Sequence, residues 1–396
     1  VASSPAHAQD TTRTAPGSGL GASKVYSASG VSIGGYGEML YENFDRTRED
    51  DALSGALDRI DFLRAVIYAG YKFDDQLLIN SEIEIEHGGV LDEGKTEVDP
   101  TTGVGQTELT GESHLEFAYL DWMPSRQFGV RAGMLLVPVG LLNETHEPTT
   151  FIGARRPDLE QFVVPSTWSA NGAGVHGELG DVQWRAYVLE GLDGSKFSTS
   201  EGIREGRQGG MQAVANRPAF AARADWQRPG LLIGGSIYGG GAWQTPAPTG
   251  VDLDPTVRLL DAHARLQWRG LEAHGLVSSV TLSDASDLSD VIGLTGSERL
   301  GKREFGYMVA ARYDVLSELM PGSRYQVAPY VRFERYDTQD DVPGGTEDPA
   351  NQRQVVTAGA ELRPHPSVVL KAEREQRSND ADTETSRWNV ALGYVF

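Results

Sequence analysis

From Gly30 to the end, the chain keeps a period of two, in segments joined by connectors that alternate between short and long. The last segment, "WNVALGYVF", sets Trp388, Val390, Leu392, Tyr394 and Phe396 on one face and Asn389, Ala391 and Gly393 on the other. "FGYMVAARYDV" and "RYQVAPYVRFE" alternate in the same way, with Arg312, Asp314, Gln326, Arg332 and Glu334 opposite the apolar set. This is the pattern of strands whose two faces meet different surroundings. No apolar run approaches the roughly 18 residues a membrane-crossing helix needs, and mean hydropathy is -0.35.

The spacing predicts about 16 strands, near 31–42, 59–73, 76–87, 112–123, 127–135, 170–180, 182–192, 217–227, 231–244, 256–269, 271–282, 304–315, 323–336, 353–363, 366–376 and 387–396. Short turns fall at Asp74, Pro124, Gly180, Arg228, Arg269, Met320 and Pro364. Long Gly-, Asp- and Thr-rich segments lie between them, as at 88–111, 193–216, 284–302 and 337–352. Short turns at one rim, long loops at the other and an apolar outer face describe an all-β, antiparallel transmembrane barrel. Tyr71, Phe73, Tyr119, Trp122, Phe128, Trp184, Trp226, Trp268, Tyr313, Tyr325, Tyr394 and Phe396 all lie near a short turn or the last residue, which predicts one aromatic ring at headgroup level. A soluble β-array gives no reason for such a ring.

A net charge of -21 repels a phosphate backbone and argues against a nucleic-acid partner. The absence of cysteine removes disulfides and thiolate sites. Ala6-His7-Ala8 has the small-x-small pattern that ends a secretory signal, so residues 1–8 read as a residual signal peptide. Residues 9–29, rich in Thr, Gly and Ser, read as a disordered lead-in to a barrel over 30–396.

A terminal Phe after an alternating strand resembles the C-terminal signature of outer-membrane proteins. "VRAGMLLVPVGL", "RRPDLEQFVVPSTWSANGAGVHGELG" and "WRAYVLEGLDG" resemble the phosphate-selective porin O/P family over about residues 59–194. The resemblance implies a 16-stranded barrel in the bacterial outer membrane, homotrimeric and surrounded by lipid, whose third long loop narrows the lumen. The expected activity is passive diffusion of small hydrophilic solutes or ions.

In "INSEIEIEH" the inward set is Asn80, Glu82, Glu84 and Glu86. Its neighbour "ESHLEFAYL" sends Glu112, His114 and Glu116 inward, against Leu115, Phe117 and Tyr119. Such a wall attracts cations. The inward loop, 136–169, carries Glu144, His146, Glu147, Arg155, Arg156, Asp158, Glu160 and Trp168. Opposed charges there would filter solutes by a transverse field, or Arg155 and Arg156 would pair with Asp158 and Glu160 and pin the loop. No cofactor is expected, although Glu84, Glu116, Glu144 and His146 could gather round a divalent cation. The basic rows of phosphate-selective members are absent: Arg64, Arg131, Arg185, Arg265 and Arg312 are scattered, outnumbered by acids and free to pair with carboxylates such as Glu116 and Asp314. The reading is therefore a cation-preferring or weakly selective pore. Its alternatives are an anion or phosphate pore, and a structural or adhesive barrel with a plugged lumen. An enzyme is not expected, since no Gly-x-Ser-x-Gly elbow is present.

Overall fold

A computed structural model describes residues 21–89, 96–98, 105–107, 111–246, 249–250 and 253–396. The barrel strands are β1 (Gly30–Phe44), β2 (Arg59–Lys72), β3 (Leu77–Glu86), β4 (Ser113–Trp122), β5 (Gly129–Leu136), β6 (Ser169–Leu179), β7 (Val182–Glu190) and β8 (Pro218–Arg228). They continue as β9 (Leu231–Gly241), β10 (Thr256–Trp268), β11 (Leu271–Leu282), β12 (Arg303–Tyr313), β13 (Gln326–Asp340), β14 (Gln352–His365), β15 (Val368–Asn379) and β16 (Arg387–Val395). Each pairs antiparallel with its sequence neighbours, and β16 returns to β1 over Tyr36↔Val395 to Phe44↔Arg387. Closure leaves no open sheet edge, so the strands find their ladder partners within the wall. Thr96–Val98 and Gly105–Thr107 pair antiparallel as a separate two-stranded sheet.

The two faces separate as the alternation requires. Ile67, Ile79, Ile83, Val188, Ile233, Leu260, Val309 and Val390 are exposed on the outside. Asn80, Glu82, Glu84, Arg185, His263, Arg332, Glu373 and Asn389 are buried on the inside. Trp122, Phe128, Trp226, Trp268, Tyr325 and Phe396 point outward at the short-turn rim.

Three expectations need correction. Tyr119 is buried and leaves the outer ring. The register slips between Glu82↔Phe117 and Ile83↔Leu115, and the extra residue, Glu116, forms a bulge. A bulge shifts side-chain parity, so Glu116, Phe117, Tyr119 and Asp121 all face inward while Leu115, Leu120 and Trp122 face out. Glu112 lies exposed at the strand's entry, outside the buried wall. The lead-in is also ordered from residue 21: Lys24–Ser27 forms one helical turn, with Ala22 and Val25 buried. The proposed signal residues 1–8, and 9–20, lie outside the described residues.

Candidate functional site

Leu136 and Ser169 are paired across β5 and β6, so the 32 residues of 137–168 leave and re-enter the wall side by side. Asn143 ties this neck. Its amide donates to the Val137 and Trp168 carbonyls, at 2.7 and 3.1 Å, and its oxygen accepts from Trp168 N–H at 2.8 Å. The loop carries Val137, Val139, Leu141, Leu142, Phe151, Ile152, Leu159, Val163, Val164 and Trp168, all buried. So much apolar surface would be costly outside, and the barrel interior serves as its core.

An irregular segment inside a barrel must find partners for its backbone. Charged residues on the far wall provide them. Lys371 Nζ on β15 donates to the carbonyls of Pro148, Phe151 and Gly153 at 2.7, 3.0 and 2.7 Å. Arg332 on β13 donates to the Ile152 and Arg155 carbonyls, and Arg363 on β14 to that of Thr149. Glu373, Glu334 and Asp261 accept from the N–H groups of Ala154, Leu159 and Gly140. Gly153 has φ +117°, and a Cβ there would lie 2.1 Å from Arg332 Nη1, so the close approach requires glycine. Of these wall anchors only Arg332 and Glu334 are named from the sequence, as members of an inward set and not as anchors; the signal they share is charge at inward parity.

The expected pins inside the loop do not form. Arg155 reaches Glu42 at 2.9 Å, and Asp158 pairs with Arg377 at 2.7 Å. Glu160 accepts from the N–H groups of Leu141 and Leu142. Arg156 is buried, and its Nε and Nη2 have no hydrogen-bond partner among the described residues. Burial, opposed by the Leu142 and Leu141 N–H donors, pushes the Glu160 carboxyl up to about 7. Burial would lower the His146 pKa, but Glu82, Glu116 and Glu84 together outweigh it and raise it to about 10.

The scattered arginines are almost all paired with acids, though not with Glu116 or Asp314. Arg64 lies 3.2 Å from Glu84 and 3.8 Å from both Glu38 and Glu86. Arg131 binds Asp121, not Glu116, and stacks 4.3 Å over the Tyr119 ring. Arg185 holds Glu144 and Asp225. Arg312 bridges Glu272 and Glu361, not Asp314. Arg265 is half-buried and has no ion pair among the described residues.

The predicted divalent-cation set does not assemble either. Glu144 is held by Arg185 and by Arg223, at 3.5 Å from the latter, and His146 faces Glu82 at 3.4 Å. Glu84 and Glu116 meet His114 instead.

At the short-turn end, the lead-in enters the lumen. Tyr26 Oη donates to Asp121 at 3.0 Å, and Asn80 donates to the Ala22 carbonyl at 3.0 Å. Arg131 and His176 complete the Asp121 shell at 2.7 Å each. At the long-loop end, a cavity of 460 Å³ lies between the inward loop and the mouth, lined in part by Arg155, Asp158, Arg353, Arg377, Glu384 and Arg387. Its lining charges and the groups behind them, Glu42, Arg59 and Glu375, form a ladder. Glu42 meets Arg59, Arg155 and Arg387, Glu375 meets Arg377 and Arg387, and Glu384 meets Arg353 and Arg377.

A protein of Aquifex aeolicus described as uncharacterized is 36% identical over 395 residues, a match covering 96% of this chain and 84% of that one. The chain belongs to that protein's family. No family model matches it. A loop L8 deletion mutant of OmpT, an outer membrane protein of Vibrio cholerae, superposes on this member with TM-score 0.55 at 10% identity, covering 92% of this chain and 99% of that one. OmpF of Salmonella typhi, in complex with daunomycin, gives 0.54 at 9%, with 92% and 97% covered. An anion-selective porin from Comamonas acidovorans gives 0.51 at 11%, with 93% and 100% covered. At these identities the likeness is one of fold: the chain shares the closed barrel of these outer-membrane proteins.

Proposed function

We propose that the protein is a porin-type diffusion channel of the bacterial outer membrane, for small hydrophilic solutes or ions, narrowed by its inward loop and weakly cation-preferring. The observation that carries this reading is the loop 137–168, clasped within the lumen by wall charges beneath a charged, outward-facing cavity. Porin-like architecture, an apolar outer band and the resemblance to the phosphate-selective porin O/P family support it. Four arginines and two carboxylates line the cavity, and Glu42 and Glu375 behind them pair with Arg155, Arg377 and Arg387, which brings the entrance near charge balance. Below it the wall of Glu82, Glu84, Glu86 and Glu116 is acidic, which favours cations over the anions admitted by the porin from Comamonas acidovorans. A trimer in lipid is part of the proposal, as in the trimer form of OmpT from Vibrio cholerae.

Single-channel recording in planar bilayers tests the reading. The wild type is expected to give small, discrete steps, and a silent wild type overturns conduction. A second reading, a structural or adhesive barrel with a plugged lumen, is favoured by the apolar packing of the loop and by the helical turn at Lys24–Ser27. It requires a silent wild type that conducts once the fill is loosened.

A further inference from the structure

The bulge in β4 has a chemical consequence. Glu84 on β3 stands directly opposite His114, and Glu116, the extra residue, is turned onto the same inner face. His114 Nε2 lies 2.9 Å from Glu116 Oε1 and 3.7 Å from Glu84 Oε2, and one ligand atom from each of the three lies within 4.8 Å of the others. Two ligands bound at about 2.0–2.1 Å sit roughly 3 Å apart at right angles and roughly 3.4 Å apart in a tetrahedron, so one ion fits between these atoms with little movement.

Acids lining a lumen are commonplace, and convergence alone would mean little. Glu84 supplies the independent observation. It is 0% exposed, and neither of its carboxylate oxygens accepts a hydrogen bond, although Arg64 Nε is 3.2 Å from one of them. Arg64, its charged partner, is shared with Glu38 and Glu86, so Glu84 is a fully buried carboxylate with an ion pair but no hydrogen bond, and metal coordination is one way to offset that cost. The surroundings add to the deficit, since Glu82, Glu86 and Glu147 lie nearby and Arg64 and His146 are the facing basic groups. The His114 side chain, 31% exposed, leaves a way in for an ion.

We infer that Glu84, His114 and Glu116 form a binding site for a divalent transition-metal ion of the Zn²⁺ class. The imidazole selects against Mg²⁺ and Ca²⁺, which take oxygen ligands, six to eight of them for Ca²⁺. With three protein ligands, a fourth position stays open to water or a passing anion. The site does not depend on the channel reading, because it is defined by binding.

The test is titration of the refolded full-length protein in detergent with ZnCl2 by calorimetry, with CaCl2 as a parallel arm. One Zn²⁺ per chain is expected, with Ca²⁺ at least tenfold weaker. His114→Ala and Glu84→Gln should each weaken Zn²⁺ at least tenfold, whereas His87→Ala, at an exposed imidazole paired with Asp61, should leave it unchanged. Native mobility on unheated gels confirms that each variant is folded. Should Glu84→Gln fail to fold, the Co²⁺ visible spectrum of the wild type and its loss in His114→Ala decide the matter. Absence of Zn²⁺ binding, equal affinity for Ca²⁺, or binding indifferent to His114 overturns the inference.

Discussion

Lys371 is a single ammonium shared by three carbonyls of the inward loop, and it is buried. Its replacement by Met keeps the stem but strands those carbonyls, at about 1–3 kcal/mol for each one left unsatisfied. Lys371→Met is therefore expected to lower unfolding stability by on the order of 3 kcal/mol and to make channel currents noisier, read by denaturant unfolding and bilayer recording. Unchanged stability would mean that the loop is held by its apolar side chains alone. Glu160 gives the loop a pH dependence. Its pKa, about 7 when the loop is seated, lies above the roughly 4.3 of a solvated Glu. The seated loop thus holds this proton more tightly. Seating is firmest below about pH 4, weakens by up to about 4 kcal/mol as pH rises to 7, and is then constant. Proteolysis of the loop should quicken over that interval in the wild type but stay flat in Glu160→Gln, and an equal slope in both removes Glu160 as the cause. Neither residue's partners were legible in sequence. Arg155, Arg156, Asp158 and Glu160 invited pairing because they are neighbours, yet Glu42 and Arg377 reach Arg155 and Asp158 across separations of 113 and 219 residues, set by barrel closure.

At the scale of elements, the period of two made the strands legible to within a few residues, and the inward parity of Asn80, Glu82 and Glu84 followed. Parity is an accumulating count, so one extra residue defeats it. The bulge at Glu116 turned Phe117 and Tyr119 inward, and no local feature of "HLEFAYL" announces it. The lead-in was hidden for another reason: four residues of helix have no readable period, and Val25 and Tyr26 look isolated among Gly, Ala and Ser. Their worth comes from Asp121, Tyr119 and Asn80, which the barrel supplies. A chain shortened to begin at Gly30 should fold, because β1 keeps both of its ladders. It should conduct at least as well as the full chain, and more if residues 21–29 obstruct the path. A lower conductance would show that the segment shapes the pore without blocking it.

Across the whole molecule, a net charge of -21 is a poor guide to selectivity. Charge on the outer loops is screened beyond about 8 Å at ~0.15 M salt, while charge along a narrow lumen acts on every ion that passes. Inside, most arginines are cancelled by a neighbouring carboxylate, and what is left over is the acidic group of Glu82, Glu84, Glu86 and Glu116 against Arg64 and His146. That balance makes the sign of selectivity a local matter. Glu84→Gln and Glu116→Gln together should lower the cation-to-anion permeability ratio, measured by reversal potentials in a salt gradient. Arg155→Gln acts at the other end. It removes one of the three arginines on Glu42, leaving Arg59 and Arg387, so the mouth loses one positive charge and the ratio should rise or stay level. Salt separates a lumen effect from a surface one, because the glutamine effects should persist at 1 M, where the Debye length is about 3 Å. A wild type with strong anion preference would defeat this reading, and would mean that Arg353, Arg377 and Arg387 present their guanidinium groups to the solute path in spite of their carboxylate partners.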